Sequence, residues 1–194
     1  MTFPSGNAGL DSAPMSKRVL CLLFPAFEEI EALTPVDLLR RAGAQVTIAS
    51  LTGDKLVTGR CGITVQADTA LAEVAEREFD LLLIPGGPGV KALRSDGRPA
   101  RLAREFAQAG KTVAAICAAP TVLADAGLLT DKRFTAHFSV HGELPRALGD
   151  ERVVEDGLLI TSRGAGTALD FGLTLVRHLF GDAVRQDVAK AIMA

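Results

Sequence analysis

Residues 111–120 read KTVAAICAAP, and this stretch decides the fold. Lys111–Ile116 is a short apolar run carrying valine and isoleucine, the pattern of a strand covered on both faces in a parallel sheet. Cys117 follows at once, then two alanines and Pro120. A helix is predicted over Ala118–Ala126, with proline tolerated in its first turn. A buried strand that turns directly into a helix through small residues is half of an α/β crossover unit. Upstream, Phe79–Ile84 (FDLLLI) is another buried strand, ended by Pro85-Gly86-Gly87-Pro88-Gly89. Further upstream, Arg18–Phe24 (RVLCLLF) is a third, followed by a helix over Glu28–Arg41 that bends near Pro35 and stops at Gly43. Ile30, Leu33, Leu38 and Leu39 mark its inward side, and Gln45–Ser50 is the next strand.

The remaining segments fill in the same alternation. Leu56–Gln66, with Gly59 and Gly62 inside it, reads as a hairpin or a pair of short edge strands. Pro99–Ala109 is a predicted helix and Phe134–Ala136 a short strand. Arg152–Glu155 and Leu158–Ser162 flank Asp156-Gly157, a strong hairpin signal. Thr167–Phe180 and Asp182–Met193 close the chain as helices. Strands and helices in this order predict an α/β three-layer sandwich around a mostly parallel sheet. With 194 residues, no internal repeat and no linker, residues 17–194 are expected to form a single domain. Residues 1–16 are polar and rich in Gly, Pro and Ser, without the basic and apolar regions of a signal peptide, and are expected to be a disordered leader or to precede a functional start at Met15.

Composition excludes several functions. A net charge of −2 offers no basic footprint for nucleic acid and no polybasic patch for a membrane. Tyr and Trp are absent, so base-stacking platforms would have to come from nine Phe, most of them in apolar runs. Three cysteines are too few, and odd in number, for a secreted disulfide framework; a reducing, cytoplasmic setting is expected. No apolar run is long enough to span a bilayer.

In doubly wound sheets, ligands bind beyond the carboxyl ends of the strands. Two loops at that edge carry unusual chemistry. Paired Gly86 and Gly87 let the backbone approach a ligand with amides aimed outward, or make a plain tight turn. Cys117 lies where a helix N-terminus favours the thiolate, the nucleophilic form. Cys21, inside a strand, reads as a core residue. Cys61, in the glycine-flanked hairpin, is expected to be exposed and oxidisable, with nothing placing a base beside it. Glu28, Glu29 and Glu31 open the first helix, where carboxylates suit the dipole; Glu28 and Glu31 share a face and Glu29 points elsewhere. His137 stands at the chemical edge of the sheet and would orient, accept a proton or stabilise an oxyanion, or simply pack. His137 and His141 make an H-x-x-x-H pair, but Gly142 and Pro145 argue against a regular helix and no third ligand completes a metal site. Arg163 is either an anion contact or a structural loop residue.

Four segments together carry a family resemblance. Phe24–Asp37 (FPAFEEIEALTPVD), Asp80–Gly87 (DLLLIPGG), Val113–Pro120 (VAAICAAP) and Asp156–Thr167 (DGLLITSRGAGT) resemble the motifs of the ThiJ/PfpI superfamily, in its branch of the Parkinsonism-associated deglycase and its bacterial relatives. The resemblance implies a flavodoxin-like fold, a homodimer, and no metal or organic cofactor. It assigns Cys117 as the reactive thiol, Glu31 as its acidic partner, His137 as a nearby histidine, and Gly86, Gly87 and Ala118 as the oxyanion-type backbone. A carboxyl held against the thiol should have a raised pKa and act as general acid/base. The implied activity is cofactor-independent action on 2-oxoaldehydes, taking methylglyoxal to lactate or removing glyoxal adducts from proteins or nucleotides. The alternative is a redox sensor or chaperone working through oxidation of Cys117. A thiamine-pathway or amidotransferase-like role ranks last, because no glutaminase Cys-x-Gly elbow is present. Expected partners are a small aldehyde or a glycated macromolecule and a second copy of the chain. Two departures stand out. Ala118 occupies the place of a histidine in the protease-like branch, which argues against a peptidase triad. Ala165 replaces a proline, a change expected to loosen the loop without touching a catalytic role.

Overall fold

The computed structural model describes residues 16–74 and 79–194. The expected leader therefore lies, but for Ser16, outside the described residues. The strands in chain order are β1 (Arg18–Leu23), β2 (Gln45–Ser50), β3 (Leu56–Thr58), β4 (Thr64–Gln66), β5 (Thr69–Ala70), β6 (Leu81–Ile84), β7 (Thr112–Ile116), β8 (Val153–Asp156) and β9 (Leu159–Ser162). Seven of them form one sheet in the order β5-β2-β1-β6-β7-β9-β8. Every neighbouring pair is parallel except β8 with β9, the hairpin turned by Asp156-Gly157. β3 and β4 pair antiparallel as a separate ribbon. The helices are α1 (Glu29–Arg41), α2 (Val90–Asp96), α3 (Arg98–Gln108), α4 (Pro120–Asp125), α5 (Ala168–Phe180) and α6 (Asp182–Ala191). α1, α5 and α6 pack together, as do α2, α3 and α4, giving the layers of the expected flavodoxin-like sandwich.

The central strands β1, β6 and β7 are buried along almost their whole length. That is why they read as continuous apolar runs rather than alternating ones. α1 crosses α5 closely: a Cβ on Gly172 would come within 2.5 Å of Leu38 Cδ1 and 3.1 Å of Pro35 Cα. Removing the side chain at residue 172 is what lets the two helices approach around the proline.

Three expectations are corrected. Ile30, predicted inward, is 52% exposed, whereas Glu29 and Glu31 are only 4% and 1% exposed. The carboxylates face inward because backbone amides wait for them there. Phe134–Ala136 is extended but joins no strand, since the Thr135 amide donates to the Thr161 hydroxyl instead of a ladder carbonyl. The helix after Cys117 begins only at Pro120, after a turn over residues 117–119. α2, a segment to which the sequence reading assigns no element, starts immediately beyond the glycine-rich turn. Among the described residues, no helix is long and apolar enough to cross a membrane.

Candidate active site

The loops after β1, β6, β7 and β9 converge at the carboxyl edge of the sheet. Cys117, directly after β7, has φ +67, a left-handed conformation that non-glycine residues seldom adopt. Such a backbone costs on the order of 1–3 kcal/mol and persists where the surroundings enforce it. Here its amide donates to the Ser162 carbonyl (2.9 Å) and its carbonyl accepts from the His137 amide (2.8 Å), so both neighbours of the elbow hold it. The thiol is turned away from the core and lines a cavity of about 850 Å3.

Glu31 reaches the same point from the first turn of α1. Glu28 caps that turn, its Oε2 accepting the Glu31 amide at 2.9 Å. The Glu31 carboxylate accepts the Gly86 amide at 3.0 Å on Oε2, accepts the Ala165 amide as well, and shares a hydrogen bond with the Cys117 thiol. The Gly87 and Ala118 amides donate to the Cys117 sulfur. Gly87 and Ala118, the positions the resemblance assigns to an oxyanion, thus lie beside the sulfur. Gly86 does not offer its amide to an oxyanion, because Glu31 takes it.

Electrostatics reverse one expectation. Burial raises the Glu31 pKa to about 7, with the charge of Glu28 adding to the rise and the thiol and amide hydrogen bonds opposing it. For Cys117, burial and then the neighbouring Glu31 carboxylate push the thiol up to about 12, against the lowering pull of the Gly87 and Ala118 amides. The six-residue α4 begins too late to supply the helix-dipole stabilisation predicted from the sequence. The two groups form one titrating unit. Below about pH 7 the unit holds two protons; above it one proton is shared, and the thiolate exists when Glu31 keeps that proton.

His137 also lines the cavity, its ring beside Gly164. Its Nδ1 lies 2.8 Å from the Ser139 hydroxyl and accepts the Ser139 amide at 3.3 Å. Burial first, then the charges of His141, Arg163 and Arg60, lower its pKa, so it is a neutral imidazole at pH 7 with Nε2 carrying the proton. His141 turns to the Ala136 carbonyl (3.2 Å), and the H-x-x-x-H pair makes no joint site. Arg163 reaches the Asp150 carbonyl, the structural alternative of its two readings. Cys21 is fully buried, and burial raises its thiol to about 12. Cys61 is exposed as expected, yet the Glu29 carboxylate stands beside it, contrary to the reading that nothing basic was near.

Sequence reasoning missed Ala165, whose contribution is a backbone amide. A proline there would have no N–H to give Glu31. Gly164 before it is extended, as a following proline requires, and Ala165 opens a 3-10 turn, so Ala165→Pro fits sterically. Losing a donor to a carboxylate raises its pKa. We expect Ala165→Pro to move the acid limb of Cys117 reactivity toward higher pH by roughly one unit. Alkylation rates with iodoacetamide across pH would show it, and Ala165→Gly, which keeps the N–H, should leave the profile in place.

A strained cysteine elbow at the carboxyl edge of a parallel sheet, facing a buried carboxyl and two amides, defines a cysteine-centred α/β protein. The chain belongs to the DJ-1/PfpI family, whose model matches residues 17–178. Protein dj-1beta of Drosophila melanogaster is 41% identical over 183 residues, covering 92% of this chain and 98% of the relative. Its crystal structure superposes with a TM-score of 0.89 over 93% of this chain and 99% of that one. YraA of Bacillus subtilis, which carries a cysteine-protease name, is 40% identical over 152 residues, or 77% of this chain and 90% of its own. DJ-1 of Toxoplasma gondii, solved in an oxidised form, is 31% identical with a TM-score of 0.85, over 92% of this chain and 98% of that one.

Proposed function

We propose that this protein is a cofactor-independent enzyme acting on 2-oxoaldehydes, with Cys117 as nucleophile and Glu31 as general acid/base. The observation that carries this reading is the hydrogen bond between the Cys117 thiol and the buried Glu31 carboxyl at the wall of an open cavity. With methylglyoxal, the Cys117 thiolate forms a C–S bond to the aldehyde carbon. The carbonyl oxygen gains the electron pair near the Gly87 and Ala118 amides, and Glu31 supplies its proton. Removal of the C1 proton and return of a proton to C2, both through Glu31, oxidise C1 and reduce C2 to give a lactoyl thioester. Water hydrolyses that ester to lactate and restores the thiol. The same attack on a glyoxal adduct would break its C–N bond and release the unmodified amine, so glyoxalase and deglycase activity are one chemistry on two substrates. As a neutral imidazole, His137 is suited to hydrogen-bond the substrate rather than to carry charge. A homodimer remains part of this proposal. The test is lactate formation by the wild type, Cys117→Ala and Glu31→Gln. Turnover by the wild type alone is expected, and no turnover above buffer by any of them would end the enzymatic reading.

A redox role draws on a second observation, that Cys117 is partly accessible whereas Cys21 is sealed in the core. A sulfinate at Cys117 would accept the proton of Glu31 and the two amides. Mass spectrometry after mild peroxide treatment should then find two added oxygens on Cys117 and none on Cys21; equal oxidation of both would count against it.

A further inference from the structure

A second cysteine, outside the reactive pair, has the surroundings of a metal ligand. Cys61 is exposed at the tip of the β3–β4 ribbon, over Glu28 and Glu29, which are both buried. One donor atom from each of the three side chains lies within 4.8 Å of the other two. Among the described residues it is the one grouping of three His, Cys, Asp or Glu side chains to do so.

Glu29 gives the independent sign. Its Oε1 accepts the Cys61 amide at 2.7 Å and the Ile63 amide at 3.4 Å, which anchors the ribbon tip to the head of α1. Its Oε2 is buried without a hydrogen-bond partner. The Cys61 thiol stands beside this carboxylate without a hydrogen bond of ordinary geometry to Oε2. A buried carboxylate oxygen that no N–H or O–H reaches, with only a weakly donating thiol beside it, is an acceptor suited to a cation. Glu28 adds to it: Oε2 is used in capping, and Oε1 remains. Arg60 is the nearest cation along the chain, so two carboxylates and a thiol outweigh one guanidinium.

We infer that Glu28, Glu29 and Cys61 bind a borderline divalent cation of the Zn2+ type, clasping the ribbon tip to α1. Thiolate and carboxylate donors suit Zn2+ or Cd2+ and disfavour Mg2+ and Ca2+. Donors around a tetrahedral zinc ion stand about 3.5 Å apart, so the site needs to close by no more than about 1.3 Å. The exposed Cys61 side chain is free to supply that movement. Binding breaks the S–H bond, releases its proton to solvent and leaves one coordination position for water.

Cd2+ is the probe, because its thiolate complexes absorb in the ultraviolet by charge transfer. We expect one Cd2+ bound per full-length chain, with a charge-transfer band and one proton released, in the wild type and equally in Cys117→Ser. Zn2+ should displace it. Cys61→Ser should abolish the band, and Glu29→Gln should weaken binding at least about tenfold. Because Glu29 also anchors the ribbon, circular dichroism should accompany that variant; Cys61→Ser, at an exposed position, decides the matter if it unfolds. A band that survives Cys61→Ser, a band lost in Cys117→Ser, or no band at all would overturn the site. The binding assay uses neither Cys117 nor an aldehyde, so its failure and the failure of the aldehyde chemistry are distinguishable.

Discussion

Glu31→Gln is expected to cut lactate formation from methylglyoxal by about 10²- to 10⁴-fold, the usual contribution of a positioned acid/base. Glutamine keeps the size of the side chain and can still accept the Gly86 amide. What it lacks is the exchangeable proton that Glu31 trades with Cys117. The pH dependence separates this loss from a structural one. In the wild type, kcat/KM should rise through about pH 7, as the Cys117–Glu31 unit passes from two protons to one. In the variant no carboxyl remains to take the proton, and residual activity should appear only as the thiol itself ionises at higher pH. Stability gives a second sign. A buried carboxyl whose pKa is raised from 4.5 to about 7 binds a proton more tightly folded than unfolded. Wild-type stability should therefore fall as pH rises from about 4.5 through 7, by up to about 3 kcal/mol, and the variant should lack that decline. Urea titrations at pH 5 and pH 8 would measure it; an equal decline in both proteins would show that Glu31 is not the group responsible.

The second large effect is steric. A Cβ on Gly86 would lie 2.5 Å from Glu31 Oε2, 2.6 Å from Cys117 Cβ and 2.8 Å from the Ile116 carbonyl oxygen. Two of those three neighbours belong to or adjoin the backbone of the strained elbow and have no rotamer by which to retreat. Gly86→Ala should thus spread β6 from β7 at the site itself. Overpacking of this kind costs about 1–3 kcal/mol, a fall in Tm on the order of 5 °C for a chain of this size. Displacing the thiol and carboxyl by a fraction of an ångström should lower activity by about 10²-fold. Gly164→Ala is the comparison, since its nearest contact, His137 Cδ2, is 3.3 Å away and on a side chain. Calorimetry and the lactate assay on both variants should rank Gly86 far above Gly164; similar values would mean that the elbow is softer than its contacts indicate.

Much of this arrangement was legible in the residues, for identifiable reasons. β1, β6 and β7 are buried on both sides, so their apolar runs carry an unambiguous strand signal, and Cys117 follows one of them directly. The failures are equally physical. Glu29 and Glu31 are buried because of amides at Cys61, Ile63, Gly86 and Ala165, which are 30 or more positions distant except by folding. A hydrophobic pattern therefore turned α1 toward Ile30. The two-residue β5 and the seven-residue α2 are too short to express a period. Glu31 itself could be selected from its neighbours only by resemblance, since spacing alone gave Glu28 the same face.

The Ala165 amide has an evolutionary consequence. Alanine and proline codons differ by a single nucleotide, so one point mutation switches a hydrogen bond to Glu31 off or on without altering any side chain that meets substrate. Lineages living at different internal pH would have here an inexpensive adjustment, silent in comparisons restricted to the reactive residues. The proton affinity of this pocket is written partly in the main chain, where a catalogue of conserved side chains does not look.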